Sequence, residues 1–407
     1  MKFPNHRFST IVATCALALS AAACGSSSSS GGGSPGEIVI GNIGAYSGAF
    51  ASTSGFVPQV IDAWAESVNA AGGLNGHKVR VITKDVGMTT GAGVTAVQEL
   101  INKEHVTAIL DFDPSDTTWV RLAAAKSVPV IAAFSSLGSL LSPNVFSIVT
   151  SPIALAYGAA AEARKLGDKI GIAYAAESAE GGQIVAMMQT FGDGLGLTLA
   201  TAVKLSSSAA DYTVFCQQLR DSGANSYFLG FATATAQKIT DQCFQQGVRI
   251  PQLLSGPVAV PAWKTDAAYD GSPVIDGVAP FFDTSVPGQK AYRDALGKYA
   301  PSLVESSSTG TFVWAAAQLI ATVVPTISTE ITPESLQNAL YSVKDETLGG
   351  LVPPVTFTKG QTSTVNCYFV WKVSGGNYTA PNGTSSTCAP AAAIAPVESA
   401  AVKAAGG

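Results

Sequence analysis

The first clear pattern lies at 37–43, where Ile and Val alternate with smaller residues as in a half-buried strand. The loop 44–48 follows and carries Tyr46 and Ser47. Phe56, Val57, Val60, Ile61, Trp64 and Val68 then recur at the spacing of one helix face. Gly72-Gly73 stops that helix, because glycine takes a positive φ at a C-terminal cap without steric cost. Asn75-Gly76 favours a tight turn, and 78–84 alternates as a second strand. Residues 37–85 therefore read as a strand–loop–helix–strand unit of the kind that builds a parallel sheet.

The alternation continues. Residues 91–103 predict a helix with Val94, Val97, Leu100 and Ile101 on one face. A short strand at 106–110 runs into the acidic loop Asp111-Phe112-Asp113-Pro114-Ser115-Asp116. A helix at 117–126 and a strand at 128–133 lead to Phe134-Ser135-Ser136 at a strand end. Ligands in open α/β sheets bind at such carboxyl ends. A second series begins near Pro152, with helices at 153–166, 182–192, 211–222 and 235–246 and strands at 169–175, 198–204, 225–231 and 250–255. Two tandem βα series imply an α/β chain of two similar, doubly wound parallel-sheet lobes. Beyond them, 262–269 reads as a short helix, 274–282 as a strand, and 287–299 and 307–324 as helices. Thr332-Pro333-Glu334 opens another helix, with Thr as N-cap and Pro at the first helical position. Residues 365–373 alternate as a strand. The Ala-rich tail, 389–407, contains Pro and Gly and is expected to be disordered or partly helical.

Composition narrows the class. The chain has 407 residues, 47% hydrophobic and only 13% charged, which suits large cores. A net charge of −5 and the lack of a basic patch with interleaved aromatics exclude a general nucleic-acid binder. Lys2 and Arg7 precede an apolar stretch at 11–23, so 1–23 reads as a signal peptide. Leu19-Ser20-Ala21-Ala22-Ala23-Cys24-Gly25 is similar to a lipoprotein processing site, which would make Cys24 the lipidated first residue of the mature chain. Ala21 stands where Leu is usual, and plain secretion is the alternative. Residues 24–36, nearly all Ser and Gly, form a flexible tether. The apolar run 312–324 is interrupted by Gln318 and is shorter than a membrane crossing of about 20 residues, so it reads as a buried helix. Cys216, Cys243, Cys367 and Cys388 are an even set in an exported chain. The expected pairs are Cys216–Cys243, between neighbouring helices, and Cys367–Cys388, closing a C-terminal loop; four buried thiols are the alternative.

Catalytic patterns are missing from the sequence. His6, His77 and His105 are the only histidines, and neither they nor the cysteines have metal-ligand spacing. No Gly-x-Ser-x-Gly elbow or dinucleotide fingerprint occurs. No cofactor, metal or enzymatic activity is expected. Asp111, Asp113 and Asp116 could hold a cation or act as acid and base, but a polar loop that caps the next helix explains them as well.

The strand followed by Ser47-Gly48, and the run Asn69-Ala70-Ala71-Gly72-Gly73-Leu74-Asn75-Gly76-His77-Lys78-Val79, resemble the substrate-binding proteins of ABC transporters. The resemblance is to the branched-chain-amino-acid (Leu/Ile/Val) binding family of type I periplasmic binding fold, and it covers about 37–373. It implies lobe 1 from 37–152 and 283–356, lobe 2 from 153–282 and 357–388, and a three-strand hinge between them. It also implies a monomer that closes on a small ligand at the extracytoplasmic face of a bacterial membrane, held there by its lipid anchor, and that delivers the ligand to ABC permease subunits. Within the resemblance, Ser115 falls on the serine that meets a ligand carboxylate, and Phe134, Ser135 and Ser136 fall on the segment that holds the same head group. Exposed N–H groups and hydroxyls suit an anion there.

The departures bear on the ligand. Amino-acid binders of this family offer an acid to the ammonium after a Gly-Pro, whereas Ser255-Gly256-Pro257 is followed by Val258, Ala259 and Val260. Two tyrosine positions of lobe 2 fall on Ala179 and Ala232. A buried ammonium without a carboxylate is costly. Either Asp113, Glu177 or Glu180 takes that role, or the ligand is a carboxylate or an aromatic or apolar molecule without an ammonium; the second is favoured. Thr233 and Val258 would complete the lobe 2 side, and Tyr46, Phe112, Trp119, Phe134 and Phe231 are candidate walls or core residues. An amino-acid or amide binder, or a ligand-sensing module of a membrane receptor, are the alternatives.

Overall fold

The structure, a computed structural model, describes residues 36–404 except Met88, Thr90, Ser135, 178–180 and Ser306. The signal peptide, Cys24 and most of the tether lie outside the described residues, as do Ser135, Ala179 and Glu180. Two sheets organise the rest. The first has the order β2-β1-β3-β4-β5 and is parallel throughout, with β1 (Ile38–Gly44), β2 (Val79–Asp85), β3 (Ala108–Phe112), β4 (Val130–Ala132) and β5 (Val145–Ser147). The second runs β12-β11-β10-β9-β8-β6-β7. It contains β6 (Lys169–Ala175), β7 (Thr198–Leu205), β8 (Ser226–Gly230), β9 (Gln252–Ser255), β10 (Pro273–Asp276), β11 (Cys367–Ser374) and β12 (Asn377–Thr379), and β13 (Thr387–Cys388) pairs with β11. Strands β6 to β10 are parallel, while β11 is antiparallel to β10, so the last strands form an antiparallel edge.

The helices in chain order are α1 (Ala51–Ser54), α2 (Val57–Ala70), α3 (Ala92–Asn102), α4 (Val120–Ala125), α5 (Gly138–Leu141), α6 (Pro152–Leu166), α7 (Gly181–Leu195), α8 (Thr213–Asp221), α9 (Thr233–Gln245), α10 (Pro287–Tyr299), α11 (Ser308–Val323), α12 (Pro333–Leu340) and α13 (Ala391–Ala404). The apolar face of α2 is buried as its spacing predicts: Val57, Val60, Ile61 and Trp64 are fully covered. Each such side chain contributes roughly 1.5–3 kcal/mol. Gly73 follows with φ 80°, where a Cβ would lie 2.1 Å from the His77 carbonyl oxygen. Helices α10, α11 and α12 return to this first core, through Tyr292, Leu296, Phe312, Leu319, Ile320, Leu336 and Leu340. The segment Ser308–Thr326 is long and apolar enough to cross a membrane, but α11 is buried on nearly all sides within this lobe. At Thr332 the expected cap is present as a capping box closed by Ser335.

The chain thus passes between the two sheets three times: after β5, after β10, and before β11. The crossings run side by side. Thr150 bridges Val365 in parallel, Thr150 Oγ1 donates to the Cys367 carbonyl at 2.6 Å, and Ser151 N donates to the Val365 carbonyl at 2.8 Å. At Gly277, in the second crossing, a Cβ would lie 3.2 Å from Thr150 N and 2.9 Å from the Phe312 ring. Both expected disulfides are present, Cys216–Cys243 joining α8 to α9 and Cys367–Cys388 joining β11 to β13.

Several elements differ from the sequence reading. The strand expected at 274–282 ends at Asp276, because the chain there leaves the sheet for the other lobe. The helix expected at 117–126 is a 3₁₀ turn at Asp116–Thr118 followed by α4. Short edge pieces β5 and β12 have too few residues to show a period. The tail, expected to be disordered or partly helical, forms α13 over Ala391–Ala404. Ile394, Val397, Ala401 and Val402 make one apolar stripe against the second lobe's core, and Ile394 is buried. Disulfide-tethered chain next to α6 can bury that stripe, which composition does not register.

Candidate functional site

The carboxyl ends of β3 and β4 carry the lobe 1 candidates. Strand β3 is buried along its whole length, so Asp111 lies fully inside. Its carboxylate accepts from Asp113 N at 2.9 Å. Asp113 in turn accepts from Ser115 N at 2.9 Å and from Trp119 Nε1 at 2.8 Å. Asp116 accepts from Ser136 Oγ at 2.5 Å. Two glycines make space for these carboxylates: a Cβ on Gly138 would sit 1.9 Å from Asp116 Oδ2, and one on Gly93 2.8 Å from Asp113 Oδ2.

All three aspartates are buried, and among the described residues Asp111 Oδ2 and Asp116 Oδ1 have no hydrogen-bond partner. Burial raises Asp111 well above the ordinary carboxylate range, and the charges of Asp116 and Asp113 raise it further. Burial also pushes Asp116 up to about 7, against the hydrogen bond from Ser136, and raises Asp113. Removing a carboxylate from water costs several kcal/mol, so three adjacent ones do not all ionise at neutral pH. The direction of these shifts favours the protonated form of Asp111 at neutral pH.

Of the expected lobe 1 contacts, Ser115 is exposed, Phe134 is half-buried with its ring edge-on to Phe112 at 5.3 Å, and Ser136 is buried against Asp116. Asp113 does not present a free carboxylate, since both its oxygens are engaged by Ser115 and Trp119. Tyr46 packs as the core alternative has it. Its ring lies over Gly44, its hydroxyl donates to Asn42 Oδ1 at 2.7 Å, and it is buried in the first core. Its backbone N–H is received by Asp85 at 3.0 Å.

In lobe 2 the candidates follow β6, β8 and β9. Glu177 is exposed and held at about 2 by Ser206 Oγ, at 2.7 Å, and by the N–H and hydroxyl of Ser207. Its oxygens therefore fasten the 206–208 loop. Ala232 is the N-cap of α9 and has no side chain with which to cap it. The open N–H groups are met from the other lobe: Thr233 N donates to Thr53 Oγ1 at 3.1 Å and Ala234 N to Ser52 Oγ at 3.3 Å. The two threonine hydroxyls lie 3.1 Å apart, and Thr233 Oγ1 donates to the Val258 carbonyl at 3.2 Å. Ala232, Thr233 and Val258 are thus brought together, and Ser52 and Thr53 join them unforeseen. Nothing in the sequence pairs positions 180 residues apart. A second bridge links Thr309 Oγ1 of α11 to the Pro257 carbonyl at 3.0 Å.

The fold is shared with known proteins. The model of a family described as "Periplasmic binding protein" matches residues 37–377. No curated protein matches the sequence. Among solved structures, a solute-binding protein of an ABC transporter from R. palustris, in complex with 4-hydroxybenzoate, is similar at 21% identity and a TM-score of 0.70, covering 84% of this chain and 95% of that one. A branched-chain amino acid ABC transporter protein from Thermus thermophilus with bound valine is similar at 15% identity and a TM-score of 0.79, covering 89% and 98%. An ABC transporter substrate-binding protein from Aeropyrum pernix reaches a TM-score of 0.78 at 16% identity, covering 89% and 98%.

Proposed function

Because the chain belongs to the periplasmic binding protein family, we propose that it is an extracytoplasmic solute-binding protein that captures a small organic molecule between its lobes and delivers it to an ABC importer. The observation that carries this reading is the relay Thr53–Thr233–Val258, which joins the lobes where the carboxyl ends of both sheets meet. Ligands of open α/β sheets bind at those ends, and hinged lobes close around them. Ser115 and the segment Phe134-Ser135-Ser136 form the lobe 1 side, and Ala232, Thr233 and Val258 the lobe 2 side. Binding involves no covalent step, and the protein acts as a monomer held at the membrane through a lipid on Cys24. Neighbours of the same fold hold 4-hydroxybenzoate and valine, which supports a ligand of that size.

The test is a thermal-shift screen against aromatic acids, aliphatic acids, amides and amino acids. A ligand at 100 times its Kd stabilises the folded state by about 2.7 kcal/mol. One or more compounds are expected to raise Tm in a dose-dependent way, and a Ser115→Ala/Thr233→Val variant to lose the shift. A shift that survives both substitutions places the ligand elsewhere.

A further inference from the structure

We propose that α13 is a strap across the hinge, packed on both lobes, that holds the cleft closed. The proposal rests on the reading of the two lobes as a hinged pair that closes on a ligand.

The covered face of α13 is one helical stripe, Ile394, Val397, Ala401 and Val402, with a single carboxylate, Glu398, beside it. The helix meets two elements. One is α6, which follows the first crossing and belongs to lobe 2. The other is α5, which lies between β4 and β5 of the first sheet and so belongs to lobe 1. Leu140 of α5 and Leu137 just before it join the same apolar cluster as Ile394 and the α6 residues Ile153 and Ala160. Both lobes therefore contribute to the surface that α13 covers. Glu398 ties the strap to the hinge itself. Its carboxylate accepts from Asn366 Nδ2 at 3.3 Å, and Asn366 Oδ1 accepts from Ser151 Oγ at 3.0 Å. Asn366 stands in the third crossing and Ser151 in the first. Ala389 N donates to the Asn366 carbonyl at 2.8 Å, and Cys367–Cys388 fixes the chain just ahead of α13.

The lobes touch in this structure through Thr53 and Thr233, so the packing of α13 on α5 belongs to the closed form. Opening carries α5 away with lobe 1, while α13 stays on α6. Leu137 and Leu140 then lose their cover, and apolar surface returns to water. The open form bears that cost, and α13 shifts the balance toward the closed one.

Single-molecule distances between one label on each lobe, with none on α13, test this in the ligand-free mature chain and in a chain ending at Pro390. Removal of α13 is expected to lower the closed-to-open ratio at least 10-fold. Leu140→Ala is expected to lower it at least 3-fold in the longer chain and to change nothing further in the shorter one, where the contact is already gone. A ratio unchanged by the shortening, even with a lowered Tm, means that α13 only covers the lobe 2 core; it overturns the inference and leaves the solute-binding reading standing. A second fall with Leu140→Ala in the shorter chain overturns it too. Should the shorter chain not fold, Leu140→Ala and Glu398→Ala in the longer chain decide, and an unchanged ratio in both removes the strap. A single fixed distance in every chain, with and without a ligand from the thermal-shift screen, overturns the hinge reading and the strap together.

Discussion

The hydroxyl of Thr53 lies 3.1 Å from the hydroxyl of Thr233 and 3.1 Å from its backbone nitrogen. One lobe thereby caps a helix of the other. The N-cap residue, Ala232, cannot do so, and a helix start without a side-chain cap is less stable by about 1 kcal/mol. On the proposed hinge closure, this cap forms when the two lobes come together. Thr53→Val keeps the shape and removes the acceptor. The closed-to-open ratio is expected to fall at least ~5-fold, since two hydrogen bonds of about 1 kcal/mol each are lost. Single-molecule distances between a label on each lobe would read it. An unchanged distribution would show that the contact only accompanies closure.

Asp276 fastens the second crossing. Its buried carboxylate accepts from the Ser308 hydroxyl, from Trp371 Nε1 at 3.1 Å and from Val278 N at 3.3 Å. Gly256 leaves it room, since a Cβ there would lie 2.1 Å from it. Asp276→Ala strands these three donors and should cost about 3 kcal/mol of unfolding free energy, whereas Asp276→Asn, which keeps an acceptor, should cost about half. Urea titration of both variants measures this; equal losses would contradict the hydrogen-bond account.

The buried aspartates make stability depend on pH in an unusual direction. Burial raises Asp276 to about 6 and Asp116 to about 7 and lifts Asp111 well above its ordinary range. A carboxyl group with a raised folded-state pKa stabilises fully below its unfolded value, near 4, and loses that contribution as pH rises through the folded value. These groups therefore favour the folded state increasingly as pH falls from 8 to 5. Glu177, held down near 2, works the other way and loses its contribution only in stronger acid. The expected Tm rises between pH 8 and pH 5, and Asp116→Asn flattens the upper part of that rise. A Tm that falls steadily below pH 8 would contradict these assignments.

The two disulfides should differ in reach. Cys216 and Cys243 are fully buried between α8 and α9, 27 residues apart in sequence. Replacing both with Ser should cost about 3 kcal/mol by the loop-entropy argument. Cys367–Cys388 anchors the chain leading into α13. Its loss should raise amide exchange over 389–404 at least 10-fold and leave that of α2 and α11 unchanged, as hydrogen exchange with mass spectrometry would show. Exchange spreading into the first lobe would mean that the tail supports more than its own lobe.

The strand–helix–strand unit of residues 37–85 was legible because its information is local. Val57, Val60, Ile61 and Trp64 share a face by helical spacing alone, and Gly73 stands where only a glycine clears the His77 carbonyl. The same is true of the Thr332 cap, and the tandem βα series announced two lobes. Ser115, Phe134, Ser136, Ala232, Thr233 and Val258 were reached by resemblance, and the structure places them at strand ends. What those residues present was not legible. Whether Ser136 donates or accepts depends on Asp116 and Gly138, and burial beside Asp111 pushes the Asp116 carboxyl up to about 7, which its place in the sequence does not show. Tyr46 read as either a cleft wall or a core residue because its aromatic ring has no local sign of direction, and it packs over Gly44. The capping of α9 by Ser52 and Thr53 depends on two lobes meeting across 180 residues. Sequence periodicity determines which face of an element is buried; hydrogen-bond polarity and protonation follow from neighbours that only the folded chain brings within 3 Å.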